Sequence, residues 1–291
     1  MADYSKIRCP ICKGGLDAAD DLRCSRCNIT YPVKRGIPIM LPNLDDVDSE
    51  QNLAAEKEFY ENMFSDLKGL DDGHCIVYGH ERIYDFMDRV ERGTVLEAGC
   101  GGGHHSVSLS KKGFKVTSVD LSFNGLLQAK RLAQHESQDI LHLCGDIKRL
   151  PFEDNAFDIC FCSLILHHFT SLDNIIAELC RVTRRYFVAF EVNALDPISF
   201  LRFNVLNPVF GIKNISKNQR ALFPDRLAKT LNRNGFTDTV ISYEDMHEYL
   251  GKAPESLKGR MLAGYLKLMK IFPEKYSRNK FLLLAEKKRR G

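Results

Sequence analysis

The stretch Val95-Leu96-Glu97-Ala98-Gly99-Cys100-Gly101-Gly102-Gly103-His104 decides how this chain is read. Val95 and Leu96 are strand-forming residues, and Glu97 falls at the strand's end. The glycine loop then leads into a helix-compatible run from Ser106 to Lys112. Glycine admits positive φ and lets a ligand approach the backbone with no Cβ in the way. A strand, a glycine turn and a helix N-terminus together form a nucleotide cradle. A dinucleotide site has the spacing G-x-G-x-x-G, which begun at Gly99 requires glycine at position 104, where His104 stands. The spacing here is acidic-x-G-x-G-x-G. A tight strand-to-helix turn uses glycine for geometry alone, so a nucleotide site needs partner residues later in the chain.

The chain supplies them. Asp120 lies 21 residues after Gly99, at the end of a strand read over Lys115 to Asp120. A carboxylate there can accept both hydroxyls of a ribose. Asp146 comes after a third strand, Ile140 to Cys144, in position to accept from an adenine amino group. Leu121 and Ile147, each next to one of these acids, can sandwich the ring. Each acid alone is an ordinary cap or turn residue; three in register with three successive strand ends point to one nucleoside. Further strands are read at Phe157 to Leu164, Tyr186 to Glu191, Thr237 to Tyr243 and Lys280 to Glu286. Helices are read between them at Ser122 to Leu132, Ile175 to Arg181 and Pro224 to Asn234. Strands alternating with helices predict an α/β protein with a mainly parallel sheet covered on both faces.

The loop resembles the first motif of class I S-adenosylmethionine (SAM) methyltransferases. Gly145-Asp146-Ile147-Lys148-Arg149-Leu150-Pro151-Phe152, then Asn155-Ala156-Phe157-Asp158, adds specificity. It is similar to the G-D-x-x-x-L-P-F-x-D-x-x-F-D signature of the family that includes the ubiquinone and menaquinone C-methyltransferases. The likeness runs from about Val95 to Phe190. It implies a Rossmann-like seven-stranded sheet with helices on both faces, closed by an antiparallel last strand. It also implies SAM as cofactor, held by Glu97, Gly99, Cys100, Gly101, Gly103, Asp120, Leu121, Asp146, Ile147 and Ser163. In that scheme Glu97 anchors the loop and reaches toward the methionine ammonium.

Methyl transfer from SAM is a displacement at an already activated carbon, so much of the catalysis is alignment and exclusion of water. A base is needed only where the acceptor must lose a proton. Ser163-Leu164-Ile165-Leu166-His167-His168-Phe169 closes the fourth strand, whose end abuts the transferring methyl in this fold. His167 or His168 is the candidate catalytic base, because imidazole titrates near neutral pH. The alternative is that one of them braces the loop. His104 and His105 are read as orienting backbone or solvent. Amino-methyltransferases carry N-P-P-Y or a near variant after strand four, where this chain reads Ser-Leu-Ile-Leu; Asn207-Pro208-Val209-Phe210 comes after strand five instead. Cys160 and Cys162 lie inside a strand and read as small core residues rather than a nucleophile.

At the other end of the chain, Cys9-Pro-Ile-Cys12 and Cys24-Ser-Arg-Cys27 are two C-x-x-C pairs eleven residues apart. Two such knuckles make a tetrahedral four-thiolate zinc site, with Cys9, Cys12, Cys24 and Cys27 as ligands of a structural Zn²⁺. The alternative, a redox pair, normally opens a helix of a thioredoxin-like unit, and no such helix is read here. The first 42 residues resemble the small zinc-ribbon subunits that activate tRNA and protein methyltransferases. A ribbon also precedes the catalytic domain in some bacterial rRNA guanine methyltransferases.

The predicted organisation is a zinc ribbon over 1–42, a linker with N-terminal lid helices over 43–92, and a SAM-dependent methyltransferase domain over 93–291. Leu53 to Leu67 reads as a lid helix, with Tyr60 and Tyr78 as lid candidates. Two insertions, 193–223 and 244–279, read as acceptor-side covers. The first is aromatic with little periodicity; the second sets Leu257, Met261, Tyr265, Leu268 and Phe272 on one helical stripe. The chain has 291 residues, 44% hydrophobic, with ten cysteines and a net charge of +3. Twelve of its cations face three acids from Lys252 onward, a tail fit for phosphate, RNA, an anionic surface or plain solvation. No apolar run reaches the roughly 20 residues of a membrane span, and no signal-peptide pattern opens the chain. Cytoplasmic placement with reduced thiols is therefore expected. The favoured function is methyl transfer to a small or lipid-like acceptor. Two alternatives stay open: an RNA (rRNA or tRNA) methyltransferase using the ribbon and the basic tail, and a non-catalytic SAM-binding scaffold.

Overall fold

The computed structural model describes residues 4–18, 20–41, 57–58, 61–62, 64, 81–211, 218–244 and 272–288. The N-terminal module is built from short strands, β1 (Asp17–Ala18), β2 (Leu22–Cys24) and β3 (Ile29–Tyr31), paired antiparallel. A hairpin, β4 (Val33–Lys34) and β5 (Ile37–Pro38), comes next. Lys13 and Asn28, each directly after a C-x-x-C pair, take φ of 55°. The hairpin turns through Arg35 and Gly36 at φ 52° and 69°, the two positive values a primed turn requires.

Seven strands form the main sheet: β6 (Thr94–Ala98), β7 (Lys115–Asp120), β8 (Leu141–Cys144), β9 (Phe157–Ser163), β10 (Thr183–Val192), β11 (Phe236–Glu244) and β12 (Lys280–Lys287). Their order is β11-β12-β10-β9-β6-β7-β8. β6 to β10 run parallel, and β12 is antiparallel to both β10 and β11. From β6 the chain builds outward through β7 and β8, then returns to the other side with β9, so the switch point lies between β6 and β9. Ligands of open α/β sheets bind outside the carboxyl ends of the strands at that point.

Alternation along the strands sorts the core. Val95, Ile159 and Phe161 bury on one face against α1 (Glu81–Met87) and α2 (His104–Lys111). Leu96, Cys160 and Cys162 bury on the other, with α4 (Asp173–Val182) and α6 (Pro224–Arg233). Between these lie α3 (Phe123–His135) and the helical run α5, made of Pro197–Phe200, a π turn over Leu201–Leu206, and Asn207–Phe210. A short α7 (Glu274–Ser277) precedes β12. The signature residues carry packing: Leu150 and Phe152 are fully buried, and Phe152 meets Phe157 edge to face at 4.8 Å. Asp158 accepts from the amide and the hydroxyl of Thr94, both at 2.9 Å, stapling β9 to the start of β6.

The ribbon is welded to this sheet. The Met40 amide donates to the Cys144 carbonyl at 2.7 Å, and Ile39 pairs parallel with Cys144, so the ribbon's tail covers the β8 edge. On the loop after β8, the Arg8 amide donates to Pro151 O, and Lys13 Nζ donates to Leu150 O and Glu178. Ile7, Leu22, Tyr31 and Met40 of the ribbon share one core with Leu96, Val119 and Leu143 of the sheet.

Two expectations change, and a third lies largely outside the described residues. The insertion over 193–223 is helical from Pro197 to Phe210, and it turns its apolar residues outward: Leu201, Val205, Val209 and Phe210 are exposed while Ser199 and Asn207 are buried. Its aromatic content therefore does not translate directly into an apolar pocket wall. Phe272 is exposed ahead of α7, whereas Leu257, Met261, Tyr265 and Leu268, like Tyr60 and Tyr78, lie outside the described residues. In the basic tail, Lys287 is spent inside the fold, donating to Asn155 Oδ1 and to the Cys180 and Thr183 carbonyls. Among the described residues no helix is long and apolar enough to cross a membrane.

Candidate active site

The cradle forms where β6 ends. Gly99, Gly101 and Gly103 take φ of 75°, 50° and 79°. At two of them space is also closed: a Cβ on Gly99 falls 2.4 Å from Ile165, and one on Gly103 falls 2.5 Å from the Ala129 Cβ. The Gly99 amide donates to Val119 O, tying the loop to β7. Asp120, at the end of β7, accepts from the Gly101 and Ser122 amides at 2.8 Å each. Ser122 caps α3 through the Gly125 amide. Glu61 adds a second carboxylate there, accepting from the amides of Phe123 and Asn124 at 2.7 and 2.9 Å, a favourable charge at a helix N-terminus. Phe64 lies against Gly101 and Gly125.

Glu97 is 1% exposed and accepts from the Ser106 hydroxyl. Burial pushes its carboxyl up to about 8, and burial raises Asp120 as well. Neither acid forms an ion pair with a described cation. Two desolvated carboxylates beside the glycine loop fit a ligand that brings positive charge and hydroxyl donors, which SAM does with its ammonium, sulfonium and ribose. Asp146 lies just past β8 with Oδ1 accepting from the Lys148 amide, and Gly145 donates to the Asp120 carbonyl, so the two acids share one rim. Leu121 is half-buried and Ile147 buried beside their acids, and Cys100 is buried under the loop.

Ser163, at the end of β9, bonds through Oγ to Nε2 of His105 at 3.1 Å, and Nδ1 of His105 meets the Tyr84 hydroxyl at 2.9 Å. His105 thus bridges α1 to β9 rather than facing solvent. One residue on, Leu164 takes φ 53°, a left-handed conformation that is strained for leucine. Its amide still donates to Phe190 O, so the strand ends in a sharp turn that throws Leu166–His168 over the end of β10.

Glu191 receives that turn. Fully buried at the end of β10, it accepts from the Ile165 amide at 2.9 Å and the Leu166 amide at 2.6 Å, and from Nδ1 of His167 at 2.8 Å. Burial pushes its carboxyl up to about 7. Where Glu191 is ionised it accepts from Nδ1–H, which leaves Nε2 of His167 as the basic nitrogen. His168 stacks beside it, ring centroids 4.3 Å apart, and its Nδ1 bonds the Gln219 amide at 3.3 Å. Sequence reasoning misses Glu191, Tyr84 and the turn at Leu164. Glu191 has a signal, a single acid in the apolar run Phe187-Val188-Ala189-Phe190-Glu191-Val192.

The sulfur atoms of Cys9, Cys12, Cys24 and Cys27 all lie within 4.8 Å of one another. Cys9 and Cys27 are 3.9 Å apart and Cys12 and Cys24 3.6 Å. A tetrahedron of thiolates about 2.3 Å from zinc has edges of about 3.8 Å, so the cluster fits that metal.

Residues 96–186 match the family model described as a methyltransferase domain. The chain is 35% identical over 103 residues to the malonyl-[acyl-carrier protein] O-methyltransferase of Hamiltonella defensa, covering 35% of this chain and 38% of that protein. It is 28% identical over 170 residues to YxjB of Bacillus subtilis, named as a 23S rRNA (guanine-N(1)-)-methyltransferase, covering 54% of this chain and 55% of that one. The chain thus spans little more than a third to about half of these relatives. A chain from the complex of the Haloferax volcanii Trm112 methyltransferase activator with a methyltransferase shares the fold, with TM-score 0.59 and 15% identity, over 81% of this chain and 98% of that one. Sheet order and family match agree: residues 96–186 form a methyltransferase domain on a Rossmann-like seven-stranded sheet.

Proposed function

We propose that the chain transfers a methyl group from SAM to a small or lipid-like acceptor whose nucleophile must lose a proton. The observation that carries this is the buried pair of Glu191 and His167 at the carboxyl ends of β9 and β10, beside the cradle. SAM, when bound, supplies a methyl group on a sulfonium that leaves as a neutral thioether. Asp120 and Asp146 would hold its ribose and adenine, and Glu97 its ammonium. His167 takes the acceptor's proton at Nε2, while Glu191 holds Nδ1–H and stabilises the imidazolium that results. Leu166 and the turn at Leu164 keep the base in place, so alignment is set by buried backbone rather than by a mobile side chain.

The name borne by the Hamiltonella relative supports an acyl-type acceptor. A second reading, RNA methylation, is favoured by the match to YxjB, which extends over a longer stretch of this chain. Incubating the purified chain with methyl-labelled SAM and separate lipid, metabolite and RNA fractions decides between them. Label in the lipid or metabolite fraction that falls about 100-fold in His167→Ala is expected. Label confined to RNA would reverse the order of the two readings, and label in none would favour a scaffold.

A further inference from the structure

The helical run α5 has its polarity inverted. Its buried face presents Asp196, Ser199, Asn204 and Asn207 to the protein; Asn204 bonds both ways with Ala221, and Asp196 caps the helix at the Ser199 amide. Its outer face is Phe200, Leu201, Val205, Leu206, Val209 and Phe210, of which Val209 and Phe210 are 66% and 77% exposed. Packing normally drives the opposite arrangement.

The π turn makes that face continuous. In an α-helix residues five apart diverge by roughly 140°, so the pairs 200/201 and 205/206 would point apart. Bonding at i→i+5 through Leu201–Leu206 brings them onto one side, and α-helical spacing then carries the stripe on to 209/210. The same run reaches inward to the base, with Phe203 edge-on to His167 at 6.4 Å.

We propose that this stripe docks the enzyme on an anionic lipid surface, placing the acceptor site at the interface. The proposal deepens the lipid-like reading of the acceptor and rests on it. Charge chooses the occupant. In sequence, residues 193–223 carry Arg202, Lys213, Lys217 and Arg220 against a single acid, Asp196, which is buried; Lys213 and Lys217 lie outside the described residues and Arg220 is half-buried. Arg202 is exposed within the stripe itself. Asn193, at the start of the insertion, bonds the Lys275 and Arg278 carbonyls, bringing alongside a second segment with exposed Phe272, Glu274, Lys275 and Tyr276, in which Arg278 pairs with Glu274 at 3.7 Å. Aromatic and aliphatic side chains framed by cations are what an interfacial element inserts among anionic headgroups. A symmetric contact centred on Arg202 would set that cation against its own copy.

The test is sedimentation of the full, metal-loaded chain with phosphatidylcholine vesicles, with and without phosphatidylglycerol. Calorimetry of SAM binding on the same samples is the control. Binding to the anionic vesicles is expected, weakened about tenfold or more in Val209→Asp/Phe210→Asp and also by Arg202→Glu, with SAM affinity unchanged. Both sites are on the surface, and unchanged SAM affinity shows the variants are folded. No vesicle binding, vesicle binding untouched by these variants, or a wild-type dimer that they dissociate would each overturn the proposal. Loss of SAM binding in the wild type would instead strike the methyltransferase reading, since the vesicle assay reads lipid alone.

Discussion

Glu191 and Glu97 are carboxyls that the fold holds against their own solvation. Glu191 is raised to about 7, mainly by burial, so below that pH it protonates and releases its hold on the His167 tautomer. Methyl transfer is therefore expected to rise with pH through about 7, and Glu191→Gln to lower kcat about 10- to 100-fold while leaving SAM affinity in place, measured as a pH–rate profile against calorimetry. Glu97 is raised to about 8, again by burial. Its folded form binds more protons than the unfolded chain between about 4.5 and 8, so its contribution favours folding below that window and is lost as pH rises through it. Glu97→Gln should then unfold at a higher temperature than wild type at pH 8.5, with little difference at pH 5, and should bind SAM about tenfold more weakly. Equal melting shifts at both pH values would contradict this. Both acids end strands, yet only Glu97 is legible in the sequence, because the glycine pattern marks its strand. Glu191 bonds a histidine 24 residues earlier, a pairing that only the parallel register of β9 and β10 creates.

At the scale of elements, the ribbon and the rim that carries Asp146 are one unit. Met40 holds Cys144 from one side and Arg8 and Lys13 hold Leu150 and Pro151 from the other, with Asp146 between them. A metal held by the four cysteines would therefore support more than the first 40 or so residues. Cys24→Ser/Cys27→Ser, or chelation, is expected to weaken SAM binding about tenfold through the freed 145–153 loop, measured by calorimetry beside metal analysis. Metal loss with unchanged SAM affinity would show the two modules to be independent. The strands β6 to β12 can be read to within a few residues because buried parallel strands are short apolar runs between turn signals. The weld to β8 cannot, since one backbone bridge at Ile39 leaves no mark in side-chain pattern. Nor can α5, whose outward apolar residues are spaced by five across a π turn and so match no helical period.

Over the whole molecule, a sheet of this order gathers the ends of β6, β7, β8, β9 and β10 at one rim, where the acids, the glycines and the histidine pair all lie. The chain's chemistry is legible as far as the cofactor because the cradle is local and its spacing is fixed by backbone geometry. The acceptor is not, because the insertion over 193–223 obeys local bonding rather than a shared motif. The central claim is that this rim binds SAM through Asp120. Removing a charged acceptor of two hydroxyl donors costs about 1.5–3 kcal/mol for each bond. Titration of SAM into wild type and Asp120→Ala by calorimetry is thus expected to show saturable binding that falls at least about tenfold in the variant. Unchanged affinity in Asp120→Ala, or no binding to the wild type, would contradict the account.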